Sequence, residues 1–404
     1  MEVRRIPSED WSDLKRLHSV VYTSPLASAD VADGDAAAYS GAWGVYEAGT
    51  LCSAMMSHEF AMMHDGAYLP MAGIGGVGTL PEYRRLGHVR RLFKAVFADM
   101  RDKRQVFSSL YPFSFPYYRM FGYELVYSQN EFTLPLDSIA PRGRAGSIEL
   151  VLPPADGDDA TTDEREAGSD AVKRIYDSFA SLRNLSLRRT DEMWRRRLRP
   201  DPYKEQVYTY LVRGEDRRAS AYFTFHARPD GPHSCDLDVR DIAFVDIGAL
   251  RELLPHLAGF HPRAKNAIVR LPSDVPLDLL IGEPYDLSHR RSAAYMARIV
   301  DAESALRATR WPDREGSISV RVRDDHLDWN DTTFRVEYGG GDSRVSHAAG
   351  EPDVSIDVRA LVQLLCGYVD GESALAYAMM ESRLDPGRLR ELFPAKPLYQ
   401  NDAF

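Results

Sequence analysis

The chain has 404 residues, more than one hydrophobic core usually supports, so two or three domains are expected. Its 44% hydrophobic and 27% charged residues are those of an ordinary globular protein. The formal net charge of −10 argues against nucleic acid as a partner and is compatible with a cationic small molecule.

The N-terminus is charged from Glu2 onward and has no apolar core of a signal peptide. No apolar run is long enough to cross a bilayer, so no membrane partner is expected. Cys52, Cys235 and Cys366 are odd in number and far apart, which speaks against a disulfide framework or a zinc site. His58 and His64 stand six residues apart, a spacing that suits neither a helical nor a strand pair of metal ligands. The expectation is a cytoplasmic protein with no metal site.

In chain order, Trp11, Leu14, Leu17 and Val21 predict a helix over 10–21. Strands follow at 43–47 and 51–56, joined at Gly49, and then a Gly-rich strand at 68–80. Over 87–100, Leu92, Phe93, Val96, Phe97 and Met100 fall on one helical face. Strands are expected at 105–111 and 121–127. The stretch 153–170 is polar, acidic and Gly-containing, and reads as a solvated loop or linker.

A similar order then repeats. Helical patterns at 171–182 and 191–198 precede strands at 207–212 and 219–225. Strand 237–244 runs into helix 247–257, and strand 267–271 follows. The junction 241–252 carries no Arg-rich, Gly-containing turn, so this reads as a degenerate second copy. From about Met296 the pattern changes. Ile318, Val320 and Val322 alternate with polar residues as in a half-buried strand, with Phe334, Val336 and Tyr338 as its neighbour. Val354, Ile356 and Val358 suggest a third strand, and helices at 359–368, 371–380 and 386–393 close the chain. Strands followed by helices indicate a separate α+β domain.

The chemistry concentrates in the run from Val77 to Leu92. A strand ends at Pro81, a helix starts near Gly87, and the basic turn Arg84-Arg85-Leu86-Gly87 lies between. The open amides and positive end of a helix N-terminus form an anion site, for which a diphosphate is a natural guest. Gly87 admits close backbone approach, and Arg84 and Arg85 add charge-assisted donors. Pro81 ends the strand's ladder, which leaves Val77 and Thr79 backbone groups to pair with an extended ligand arm. Taken alone, the Arg84-x-x-Gly87 spacing fits a plain strand–helix turn with solvated arginines. A second motif downstream, Tyr117-Tyr118-Arg119-Met120-Phe121-Gly122-Tyr123, shifts the balance.

Together these motifs resemble the GNAT N-acetyltransferases, which carry an Arg/Gln-x-x-Gly-x-Gly/Ala diphosphate loop and a later Tyr-x-x-x-Gly-Phe/Tyr signature. Val89 departs from the generic loop at its last position. The enhanced intracellular survival (Eis) family is similar to this chain there, and in its Tyr-x-x-Phe-Gly-Tyr motif, its degenerate second GNAT copy, its sterol-carrier-protein-like third domain and its terminal Phe404. The implied fold class is α+β: a catalytic GNAT domain over 1–135, a degenerate one over 136–290, and a sterol-carrier-like domain over 291–404.

The resemblance implies an acetyl-CoA-dependent N-acetyltransferase acting on a small-molecule amine, aminoglycoside-like or polyamine-like, assembled as a homohexamer. It implies that Val77, Gly78 and Thr79 hold the pantetheine arm, and that Arg85, Leu86, Gly87, His88, Val89 and Arg90 wrap the diphosphate, with Arg84 at its mouth. Phe113 and Ser114 align with a further CoA contact. Tyr118 is implied as the general acid for the departing thiolate, and the Phe404 α-carboxylate as the base on the amine. Two rivals stay open on the sequence: an acyl-CoA or lipid-binding sensor with a vestigial site, and a structural oligomer-former.

Overall fold

The apolar stripe over Leu92–Met100 finds its partner in a sheet whose strands alternate inward and outward. A computed structural model describes residues 1–23, 39, 41–139, 146–152, 162–198 and 202–404, with backbone alone over 162–167. Its contacts gather into two units. One comprises Met1–Tyr127, Ala294–Lys396 and Asp402–Phe404; the other comprises Ser128–Ala293 and Pro397–Asn401.

In the first unit, strands β1 (Glu2–Arg5), β2 (Ala42–Glu47), β3 (Thr50–His64) and β4 (Ala67–Thr79) form an antiparallel series. Strand β5 (Phe107–Leu110) pairs parallel with Met71–Ile74 of β4, and Met296–Ile299 pairs antiparallel with β5. Helix α1 (Trp11–Tyr22) buries Leu14 and Leu17, and helix α2 (His88–Asp102) buries Leu92, Phe93, Val96, Phe97 and Met100. The α2 face packs with Val45, Met55, Ala72 and Ile74 of the sheet and with Phe121 and Tyr123. Each such side chain contributes on the order of 1.5–3 kcal/mol on burial. Helix α3 (Phe115–Arg119) is a single short turn.

Strand β3 runs on to His64, beyond the expected end near 56, because β4 pairs with it residue for residue from Met56 to the turn at Asp65–Gly66. The same unit holds a five-stranded sheet in the order 342–347, 333–339, 316–323, 354–357, 380–382. Ile318, Val320 and Val322 are buried in it, as their alternation requires. Strand Asp342–His347 was not anticipated. Val358 opens the following helix, not a strand, since the Asp357 carboxylate accepts from the Arg359 amide as an N-cap. Helix Gly371–Ala376 stops short of Met380, which enters a strand.

In the second unit, Asn130–Pro135, Ala264–Leu271, Cys235–Phe244, Ala219–Pro229, Val207–Arg213 and Ser147–Leu150 lie in that order in one sheet. Only Cys235–Phe244 and Ala264–Leu271 are parallel, around helix Ile247–Ala258, which repeats the plan of β4, α2 and β5. The linker expected over 153–170 is corrected in part. Residues 153–161 lie outside the described residues, but 162–170 belong to helix Thr162–Ala180.

Candidate active site

Strand β4 breaks its register opposite β3. Ala54 faces Gly78 and Met56 faces Gly75, so Met55 alone meets two residues, Gly76 and Val77. Gly76 takes φ +55°, the left-handed conformation such a β-bulge asks of a glycine. On the other side of β4, pairing with β5 ends at Ile74. The two parallel strands separate beyond that point, and the edge at Val77, Gly78 and Thr79 faces a pocket of about 730 Å³.

That pocket is also lined by Val21 and Tyr22 of α1, by Tyr83, Arg84, Arg85, Gly87, His88, Val89 and Arg90 of the turn, and by Phe113, Tyr117, Met120 and Phe121. Arg85 has φ +65° and Gly87 φ +79°, so two of the turn's residues are left-handed. Gly87 caps α2 with no side-chain hydrogen bond, and a Cβ there would meet nothing within 4 Å. The helix N-terminus is thus left for a ligand, with three exposed arginines around it. Arg84 is steadied by donating Nε–H to the Thr79 carbonyl at 3.3 Å. His88 turns its ring inward, 2.9 Å from Glu47 Oε1, so only its backbone is offered to the pocket rim.

Of the residues implied for the cofactor, ten line this pocket: Val77, Gly78, Thr79, Arg84, Arg85, Gly87, His88, Val89, Arg90 and Phe113. Leu86 is exposed and does not line the pocket. Ser114 is occupied in capping α3, its hydroxyl accepting from the Tyr117 amide at 3.4 Å. Tyr22, Tyr83 and Met120 line the pocket without having been assigned to it; Tyr83 and Met120 fall inside the two motifs, and Tyr22 extends the Leu14–His18 helical face.

Tyr118 is 4% exposed, among Phe113, Tyr117, Phe93 and Tyr123 with ring centroids 5.3 to 6.5 Å away. Burial, then the neighbouring Tyr22, Tyr117 and Tyr123, push its phenol well above the ordinary value. It therefore holds its proton at neutral pH. Below it, buried Arg298 donates to the Phe121 carbonyl and is paired with Asp324.

Phe404 packs against Gly73 and Gly75 of β4. Its ring sits 4.9 Å from Phe60, 5.8 Å from Tyr111 and 6.2 Å from Tyr295. A Cβ on Gly73 would come within 2.6 Å of that ring, so the seat exists only because residue 73 is glycine. The Tyr111 hydroxyl donates to the Asp402 carbonyl at 3.2 Å. The Phe404 backbone carbonyl lies next to Gly75, directly before the bulge.

The second unit treats the corresponding helix start differently. Asp246 caps Ile247–Ala258, its carboxylate accepting from the Ala249 amide at 2.8 Å. A built-in anion takes the place that Gly87 leaves open.

Residues 2–126 match an Acetyltransferase (GNAT) domain family, residues 185–299 match another Acetyltransferase (GNAT) domain family, and residues 302–399 match a Sterol carrier protein domain family. Among solved structures, the fold is similar to a GCN5-related N-acetyltransferase from Anabaena variabilis, with 21% identity, a TM-score of 0.84 and full coverage of both chains. It is similar to Eis1 from Mycobacterium abscessus at 21% identity and a TM-score of 0.81, again over 100% of each chain. A probable N-acyltransferase from Enterococcus faecalis shares 20% identity and a TM-score of 0.83 over 98% of this chain and 97% of that one. Comparison with curated proteins finds no match.

Proposed function

The chain belongs to the GNAT N-acetyltransferases, in the tandem-GNAT and sterol-carrier arrangement similar to Eis proteins, and we propose that it acetylates amines of polycationic small molecules by direct transfer. Acetyl-CoA is its donor and supplies the activated acetyl group. The observation that carries the reading is the open N-terminus of α2 beside the separated β4 edge. A diphosphate suits the one and an extended amide-bearing arm suits the other.

In this reading Val77, Gly78 and Thr79 hold the pantetheine arm, and the turn from Arg84 to Arg90 holds the diphosphate. At the bulge two residues of β4 face one of β3, and a backbone amide released from regular pairing in such a bulge is suited to polarising a carbonyl oxygen. Tyr118 holds the proton that a departing thiolate needs. The α-carboxylate of Phe404 takes the proton from the amine, directly or through water. Direct transfer is supported by Cys52, Cys235 and Cys366 all being buried, with no thiol placed to carry an acetyl group. The net charge of −10 favours a cationic acceptor.

The reading includes a cytoplasmic homo-oligomer, a hexamer by resemblance, with domains over 1–135, 136–290 and 291–404. No helix among the described residues is long and apolar enough to cross a membrane. The test is a panel of mono-, di- and polyamines scored for CoA release with a thiol reagent. Turnover that rises with amine charge is expected; no release with any amine would refute the function.

A further inference from the structure

Helix α1 reaches the bulge at two points. His18 Nε2 lies 3.0 Å from the Gly76 carbonyl oxygen, and the Tyr22 hydroxyl donates to the Val77 carbonyl at 3.1 Å. His18 and Tyr22 are four residues apart, so they share one face of the helix. The same helix is anchored beneath by Leu14 and Leu17, which pack with Leu51, Ala54 and Met56. The Gly76 and Val77 carbonyls, the two residues of the bulge, are thereby both answered from α1. A carbonyl only accepts, so Nε2 carries the ring proton. Burial, partly offset by the Gly76 hydrogen bond, holds His18 below its ordinary pKa, which keeps the ring neutral and its tautomer defined.

Space enforces the arrangement. A Cβ on Gly76 would stand 3.0 Å from His18 Cε1 and Nε2 and 2.9 Å from Met56 Cγ. The glycine therefore serves the contact with His18 as well as the positive φ. Tyr22 faces the pocket too, and its phenol contributes to the upward shift of Tyr118.

We infer that His18 and Tyr22 brace the Gly76–Val77 bulge from α1 and are positioning residues for acetyl transfer, fixing the bulge amide where the thioester carbonyl must meet it. This rests on the proposed function, because an aimed amide matters only if a carbonyl is activated there. A misaimed donor costs more in the transition state than in binding, so the brace acts on kcat and leaves acetyl-CoA affinity nearly unchanged.

The test uses the full chain with its best amine. His18→Phe keeps ring size but cannot donate, while His18→Gln places an amide N–H near the position of Nε2. We expect His18→Phe to lower kcat by roughly 10- to 100-fold, with the acetyl-CoA Kd changed less than about threefold. His18→Gln should recover most of kcat, and Tyr22→Phe combined with His18→Phe should cost more than His18→Phe alone. Amide hydrogen exchange should speed up at residues 75–78 in His18→Phe and return toward wild type in His18→Gln. A merely structural role predicts a lower melting point with kcat unchanged and no rescue by glutamine. Wild-type kcat in a folded His18→Phe variant, or exchange at 75–78 that does not change, would overturn the brace and leave the acetyltransferase reading intact. A wild-type chain that releases no CoA with any amine would overturn both.

Discussion

Arg298 Nη2 donates to both carboxylate oxygens of Asp324, at 2.8 and 2.9 Å, and neither side chain is exposed at all. The guanidinium also donates to the Phe121 carbonyl and lies 4.6 Å over the Phe97 ring. Asn330 donates to the same carboxylate at 3.1 Å. Within the first unit, this pair fixes the turn that carries Tyr118. A Cβ on Gly122 would overlap the guanidinium, which is why the motif needs its glycine.

Removing one partner strands a buried charge. Arg298→Met is expected to lower unfolding free energy by about 3–5 kcal/mol, and Arg298→Met with Asp324→Leu to recover much of that loss. Urea unfolding of the two variants checks it; a double variant no better than the single would refute the charge argument.

Gly87→Glu places a carboxylate at the open start of α2, in imitation of Asp246 in the second unit. Acetyl-CoA binding should become undetectable by calorimetry. Positive φ at residue 87 costs the variant on the order of 1–2 kcal/mol of stability, too little to unfold most domains. Unchanged CoA affinity would remove the diphosphate from this turn.

Tyr118→Phe keeps the ring among Phe93, Phe113 and Tyr117 but deletes the O–H. Turnover should fall by about 10²- to 10⁴-fold with little change in acetyl-CoA affinity. Because burial raises the phenol, activity should persist into the alkaline range until other groups titrate.

If the α-carboxylate of Phe404 is the base, residues appended after Phe404 should be as damaging to turnover as deleting Phe404, since either change removes or moves the group beside Gly75. A tag of equal size at the N-terminus should be harmless. Full activity with a C-terminal extension shown intact by mass spectrometry would exclude the carboxylate as base.

His64 is fully buried, 3.2 Å from the Thr309 hydroxyl. Burial pushes its pKa down to about 4, against an upward pull from Asp65 and a further push from Lys396. The unfolded chain binds this proton near pH 6.5 and the folded chain only near 4. Its contribution is whole above pH 6.5 and is lost as pH falls toward 4, a change of roughly 3 kcal/mol. In His64→Phe, calorimetric stability should lose less between those pH values than in the wild type.

What could be read from the sequence was whatever repeats within a few residues. The five apolar residues of α2, the alternation at Ile318, Val320 and Val322, and the Gly87 turn are all legible because periods of 3.6 and 2 and the special φ of glycine act locally. The matches to acetyltransferase domains over 2–126 and 185–299 agree with the order of elements read there. Other features were decided only by tertiary structure. Strand β3 outran its expected end because β4 pairs with it along nearly its whole length. Gly73 is a glycine on account of Phe404, and Gly76 on account of His18. These partners lie tens to hundreds of residues apart and leave no periodic trace in the chain. A contact across such a separation is set by packing and strand register, which exist only once the sheet has formed.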